Sequence, residues 1–338
     1  MARFFALLVV VLLSGCADAL QEFGGPTMGS HYSVKYVQAE GVPSQDHLQG
    51  EVERMLAEID RQMSTWRADS DLSRFNRLPV GACMVMPEPV LELVRFGDQL
   101  SVSSGGAFDL TVQPLMELWG FGAQSRGHRL PADEEIAAVL PSIGQRHLRV
   151  DGERLCKDAF VRLDLDAIAA GAAVDRIAAH LVGLGVRSFL LEITGELKAV
   201  GRKPDGSPWI IAIEAPRTDR IEEQRRLELD GLGLSTSGDY RNYFEVGGKR
   251  YSHTFDPRTG RPVEHDLASV SVVDASVLRA DGLSTTLMVL GPEQGMAYAE
   301  REGIAALFIR RADRGFSVSA SSAFVRRFGD PQAGIVGM

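Results

Sequence analysis

The chain has 338 residues, 45% hydrophobic and 24% charged. That is too apolar for a disordered chain, and long enough for one large domain or two intimate lobes enclosing a cleft. The formal net charge is −9, with acidic and basic residues interspersed. The absence of a basic stripe argues against a nucleic-acid partner, and the lack of a fixed-period repeat excludes a solenoid.

Arg3 opens the chain, followed by an unbroken apolar run, Phe4 to Leu13, and then Ser14-Gly15-Cys16. The run is too short to span a bilayer and has the length of a signal-peptide core. Leu13-Ser14-Gly15-Cys16 resembles the bacterial lipobox, in which small residues expose the bond before a cysteine that becomes lipidated. We therefore expect a lipoprotein signal peptide over 1–15, a lipidated Cys16, a tether over 16–25 and one globular unit over 26–330. That unit would sit on the periplasmic side of a bacterial membrane, anchored by lipid alone. Cys83 and Cys156 would then share an oxidising compartment, and both pairing and burial as thiols remain open.

Further along, 31–37 alternates as a strand, and Val52, Met55, Leu56 and Ile59 recur at helical spacing within 47–62. Asp69-Ser70-Asp71 is a cap for a short helix. Helices are predicted over 87–104 and 131–140, the second with acidic groups at its positive end. Strand segments follow around Cys83, in a hairpin about Asp151-Gly152, and over 161–166, where a strand leads into an Ala-rich helix at 167–182. Further strands at SFLLEI, WIIAIEAP, LELDGLGLSTS and NYFEVGGKRYSH precede helices at 277–289 and 293–302 and a last strand at 304–310. Helices segregated from mostly antiparallel strands define an α+β fold.

Four segments can carry chemistry. Asp281 and Thr285 are i and i+4, so their oxygens share one helix face and can serve a hard cation such as Mg²⁺; a helix cap is the alternative. Asp256-Pro257-Arg258-Thr259-Gly260 is a turn that would hold His253 at a strand end as a base, or simply expose it. Gly105-Gly106-Ala107-Phe108-Asp109 permits close approach of a flat or phosphorylated ligand, with Phe108 as a stacking face, or ends a helix. Leu234 to Tyr240 is a hydroxyl- and Gly-rich turn that can line a phosphate path or reverse the chain.

Taken in order, these segments resemble the ApbE family of FAD:protein FMN transferases. The resemblance runs from Pro26-Thr27-Met28-Gly29-Ser30 through MSTWRADSDLSRFN (63–76), GGAFDLTVQPLMELWGFG (105–122) and DLDAIAAGAAVDR (164–176). It continues in STSGDY (235–240), SHTFDPRTG (252–260) and ADGLSTTL (280–287). It implies FAD in a cleft of an α+β fold, contacted by Met28, Trp66, Ala107, Phe108, Asp109, Asp164 and Phe255. It implies Mg²⁺ on Asp281, Thr285 and the Ala167 carbonyl, with Ser284 as an extra ligand, and His253 assisting proton transfer. The acceptor would be a Ser or Thr hydroxyl of a flavoprotein, by the family's habit a membrane redox subunit. Ala170 stands where relatives commonly carry Lys, and Thr194-Gly195-Glu196 where Gly-Gly is common, so a polar contact to FAD at 170 is missing. An Mg²⁺-dependent FAD pyrophosphatase uses the same residues, and a non-catalytic FAD-binding lipoprotein is the remaining alternative.

Overall fold

The structure, a computed structural model, describes residues 19–331 apart from 123, 124, 126, 218, 221, 241 and 314. The expected signal peptide over 1–15 and Cys16 lie outside the described residues. Strands β1 (Ala19–Thr27) and β2 (Ser30–Gln38) pair antiparallel from Ala19↔Gln38 to Thr27↔Ser30. Residues 19–25 are therefore sheet, which corrects the expected tether. The strand was hidden because its one deeply buried side chain, Phe23, stands in a polar stretch and packs edge-on against Tyr32 and Tyr36 of β2.

Helix α1 (Gln45–Met63) starts at Ser44, whose Oγ accepts from the His47 N–H, and buries Leu48, Val52, Leu56 and Ile59. The short α2 (Asp71–Asn76) is capped by Ser70, whose Oγ accepts from the Ser73 N–H. Next come β3 (Cys83–Val85), α3 (Glu88–Ser103), α4 (Gln113–Trp119), α5 (Asp133–Val139), β4 (Leu148–Asp151) and β5 (Arg154–Lys157). In the small β3–β5–β4 sheet Cys83 lies opposite Cys156, and the two form a disulfide, which settles the question left open above.

Residues 161–166 are not the strand expected. They make one isolated bridge, Val112 to Arg162. A side chain takes the place of a partner strand: Asn76 Oδ1 accepts from the Leu163 N–H, and its Nδ2 donates to the Leu163 carbonyl, each at 2.8 Å. That satisfies both backbone groups of a buried extended segment.

The remainder alternates. Helix α6 (Asp166–Gly183), β6 (Phe189–Ile193), β7 (Glu196–Val200), β8 (Trp209–Glu214), β9 (Glu223–Leu229) and β10 (Leu232–Gly238) lead to two small hairpins. These are β11 (Tyr243–Val246) with β12 (Lys249–Ser252), and β13 (Phe255–Asp256) with β14 (Arg261–Pro262). Then come β15 (Leu267–Asp274), α7 (Val277–Glu302), β16 (Ala305–Arg311), β17 (Phe316–Ala320) and α8 (Ser322–Phe328). Helix α7 holds both helices predicted over 277–302, divided where Gly291 leaves helical geometry (φ +76°) ahead of Pro292.

The main sheet has the order β1-β2-β6-β7-β10-β15-β16-β17, and every neighbouring pair is antiparallel. The core with α1, α6 and α7 covers one face, and the β8–β9 ribbon with α8 covers the other. One mismatch in strand length positions the site. Strand β10 pairs with β15 along Gly233–Gly238 but with β7 only along Leu232–Leu234. Because β7 begins at Glu196, β10 has no β7 partner from Ser235 to Gly238, and the sheet opens a notch there. The turn expected over 234–240 is thus mostly strand.

Candidate active site

A cleft of about 950 Å³ opens at this notch. Helices α6 and α7 meet beneath it at Gly171. A Cβ there would lie 2.6 Å from the Val277 carbonyl oxygen and 2.8 Å from Asp281 Cβ, so glycine is what permits the approach. The Gly171 N–H donates to Asp281 Oδ2 at 2.9 Å. One turn on, Asp175 Oδ2 accepts from Ser276 Oγ and the Leu278 N–H, while its Oδ1 accepts from Lys198 Nζ. This clamps the start of α7. Ser276 caps that helix through the Arg279 N–H, so Asp281 is not the cap.

Asp281 is only 5% exposed yet borders the cleft, as do Thr285 and Ala167. Thr285 Oγ1 lies 3.3 Å from Ser237 Oγ across the notch. Ser284 does not reach the cleft wall: it is fully buried, donates to the Asp281 carbonyl at 3.0 Å, and meets Ser235 and Ser237 at 3.2 and 2.9 Å. The expected extra ligand is thus a brace behind the site.

Of the residues expected to contact FAD, Trp66, Ala107, Phe108, Asp109, Asp164, Ala170 and Phe255 all line the cleft. Met28 does not; it sits in the β1–β2 turn with φ +45° and packs against the main core. Phe108 is 2% exposed, its ring packed into that core, so it offers no open stacking face. Trp66 is the reverse, 69% exposed at the rim. The Gly105-Gly106 loop does end α3, with the Gly106 N–H donating to the Ser101 carbonyl, and also delivers Ala107 to the cleft. Asp109 is spent on local wiring: Oδ1 accepts from Thr111 N–H and Oγ1, and Oδ2 from the Gln145 N–H.

The cleft gathers seven carboxylates: Asp281 and Glu196 at the notch, Asp164 and Asp166 beside it, Asp109 further on, and Glu192 and Glu214 at the far arm. No Lys or Arg lines it among the described residues. Burial, and then the charge of Glu196, raises Asp281 well above the ordinary carboxylate range. Burial likewise pushes Glu196 up to about 7, against the hydrogen bond from Thr194 Oγ1. Asp164 is pushed up to about 8 by burial and the Asp166 charge. Carboxylates so raised await a counter-charge.

Another part of the wall is aromatic. Phe121 and Phe255 border the cleft, and Trp119, Phe244 and Tyr251 pack behind them in a small core. Trp119 Nε1 donates to the Gly260 carbonyl, tying α4 to the Asp256–Gly260 turn. That turn closes with the Gly260 N–H on the Asp256 carbonyl, at a Gly with φ +71°. His253 follows β12, half-buried, with its Nδ1 3.1 Å from the Asn242 carbonyl. A nitrogen facing a carbonyl can only donate, so Nε2 is left as the basic atom. Burial lowers the imidazole below its usual pKa, keeping it neutral near pH 7.

Glu196, Asp166, Asn76 and Asp175 were not singled out from the sequence as functional. Ser235 and Ser237, two apart on a strand, do signal one shared face.

Fold and site together define a class: an α+β protein whose carboxylates and hydroxyls gather at a notch in an antiparallel sheet, with His253 bordering the same cleft. The chain belongs to the ApbE family, whose sequence model matches residues 28–308. It is 44% identical to an FAD:protein FMN transferase of Vibrio cholerae over 94% of this chain and 96% of that one. It is 36% identical to the FAD:protein FMN transferase of Haemophilus influenzae, over 94% and 95%. The fold superposes on the crystal structure of Pseudomonas stutzeri flavinyl transferase ApbE, apo form, with a TM-score of 0.88 at 57% identity, covering 95% of this chain and 98% of that one.

Proposed function

We propose that the protein moves the FMN half of FAD onto a Ser or Thr hydroxyl of an acceptor flavoprotein, releasing AMP, with Mg²⁺ held at the notch. Family membership supports the transfer itself. One observation carries the metal: Asp281, Glu196, Asp164 and Asp166 gather at and beside the notch, and no Lys or Arg lines the cleft among the described residues to meet the charge of a diphosphate. No cluster of three or more His, Cys, Asp or Glu forms a closed metal shell among the described residues. The donors fit Mg²⁺ instead, which takes few protein oxygens and completes its shell with phosphate and water. Asp281, the Thr285 hydroxyl and the Ala167 carbonyl would hold it. Bound there, it would neutralise charge growing on the leaving AMP and polarise the attacked phosphorus.

The chain's own groups supply the rest. The acceptor oxygen bonds to the FMN-side phosphorus as the phosphorus–oxygen bond to AMP breaks. The hydroxyl proton passes to His253 Nε2, the nitrogen left free by the Asn242 carbonyl.

Incubation of the mature protein with FAD, Mg²⁺ and a Thr-bearing acceptor domain tests this. Covalent flavin fluorescence on the acceptor in a denaturing gel is the expected result. AMP and free FMN without label would instead mark an FAD pyrophosphatase.

The anchor is part of the proposal. The lipobox-like Leu13–Cys16 and a disulfide suited to an oxidising compartment both support it. Cys16→Ser should move the protein from the membrane to the soluble fraction, and unchanged partitioning would sink the lipid anchor.

A further inference from the structure

Three elements converge on the notch: α6 brings Ala167, α7 brings Asp281 and Thr285, and β7 brings Glu196. The side chains that join all three lie beneath the cleft rather than on its wall. They are Asp175 and Lys198. Ala167, Gly171 and Asp175 recur at every fourth position of α6 and form one stripe along it. Ala167 borders the cleft, Gly171 meets Asp281, and Asp175 meets the start of α7. The two helices therefore run antiparallel, and Asp175 grips α7 one turn before Asp281. On β7, Glu196 and Lys198 are i and i+2 and share the face turned to the helices, while Leu197 and Ala199 are buried on the ribbon side.

The chemistry of this contact calls for a carboxylate. Asp175 Oδ2 accepts from Ser276 Oγ at 2.8 Å and from the Leu278 N–H at 3.1 Å, and Oδ1 accepts from Lys198 Nζ at 2.9 Å. All three neighbours donate, so an amide in this place would turn its own N–H bonds on one of them. Lys198 Nζ also donates to the Ala275 carbonyl at 2.7 Å, one residue before the Ser276 cap. One ion pair thus joins α6, β7 and the entry to α7. Its side chains are 17% exposed for Lys198 and 24% for Asp175, so salt screens it less than a surface pair.

We infer that Asp175 and Lys198 are positioning residues for the metal: together they set the spacing of α6, β7 and α7, and with it the affinity of the notch for Mg²⁺. Neither side chain borders the cleft, so neither is a ligand. This rests on the reading of Mg²⁺ at the notch. It adds what holds the proposed ligands in register, since Ala167 lies on one helix and Asp281 and Thr285 on another.

The test titrates Mg²⁺ alone, by calorimetry, into the mature chain and into Asp175→Asn, Lys198→Met and the double variant. Urea unfolding without metal checks that each is folded. The Mg²⁺ concentration giving half-maximal AMP release from FAD is measured on the same preparations. The two substitutions change the net charge in opposite directions. A field effect alone would weaken Mg²⁺ binding in Asp175→Asn and strengthen it in Lys198→Met. Positioning weakens it in both, by about tenfold or more, and the double variant loses little beyond the worse single one, because both act through one contact. The half-maximal Mg²⁺ concentration should rise in step, with the rate at saturating Mg²⁺ changed less. Opposite signs, or Mg²⁺ binding unchanged in either folded variant, would overturn the inference and leave the pair a support of the fold. Lys198→Met leaves Asp175 able to hold Ser276 and Leu278, so its sign decides the matter even if Asp175→Asn does not fold. An unmodified protein that binds no Mg²⁺, or Asp281→Ala that binds it as tightly, would instead overturn the metal reading, and positioning with it.

Discussion

The notch wall of the cleft, built from α6, α7 and β10, is acidic, whereas the wall at Phe121 and Phe255, backed by Trp119 and Phe244, is aromatic. Burial acts on both with opposite chemical results. On the notch wall it raises Asp281, Glu196 and Asp164, leaving carboxylates that ionise fully only beside a cation. On the aromatic wall it lowers His253, leaving a base that is neutral without a counter-ion. Burial disfavours charge on both sides, keeping acids protonated on one and a base unprotonated on the other.

The sharpest break of this contrast is Asp281→Ala. It should cost on the order of 10³-fold in Mg²⁺-dependent FAD cleavage, followed as AMP release, with Mg²⁺ binding lost in calorimetry. Retained activity would remove the metal from the notch. His253→Ala should cost about 10²-fold while leaving Mg²⁺ binding intact. In the unmodified protein, the low imidazole pKa predicts a rate that is flat through neutral pH and falls only below the usual imidazole range. A fall already evident between pH 8 and pH 7 would contradict a neutral His253.

Gly171→Ala probes the joint under the acidic wall. The added methyl meets the Val277 carbonyl and Asp281 Cβ, so a loss of about 1–3 kcal/mol is expected by chemical denaturation, with weakened Mg²⁺ affinity. Normal stability would mean that α6 and α7 part without cost.

The smallest effect is the pH dependence of stability without metal. Glu196 and Asp164 hold their protons to about pH 7 and 8 in the folded chain, but only to about 4 once unfolded. Their stabilising contribution is therefore complete below pH 4 and is lost as pH rises through 7 and 8. The Tm of metal-free protein should fall across that window, and Mg²⁺ should restore it most at the alkaline end. A metal-free Tm that rises steadily from pH 5 to 8 would reverse the assignment.

Legibility followed the range of the interactions. The helices around Leu48–Ile59 and Val90–Leu100 were visible because burial on one face repeats every three to four residues, whereas the one at Ile168–Leu181 is buried nearly all round and showed itself by its alanine content. The Ser70 cap and the Asp256–Gly260 turn were visible because their bonds close within a few residues. Strand β1 was not, since Phe23 alone marks it, and neither were α4 and α8, seven residues each. Residues 161–166 read as a strand because their apolar alternation is real. Their partner is a side chain, Asn76, 87 residues from Leu163, and no local pattern reports that.

The sequence by itself determined the α+β class, most of the elements, and a chain of motifs that names the residues bordering the cleft. Periodicity, capping and turn chemistry are local, so a single strand of text contains them. Only the tertiary structure decided that Met28 and Ser284 stand off the cleft wall, that Glu196 and Asp166 join it, and that Cys83 meets Cys156. The notch itself belongs to that second group. It exists because β7 begins at Glu196 while its neighbour β10 runs on to Gly238, and the lengths of two strands can be compared only once they are paired.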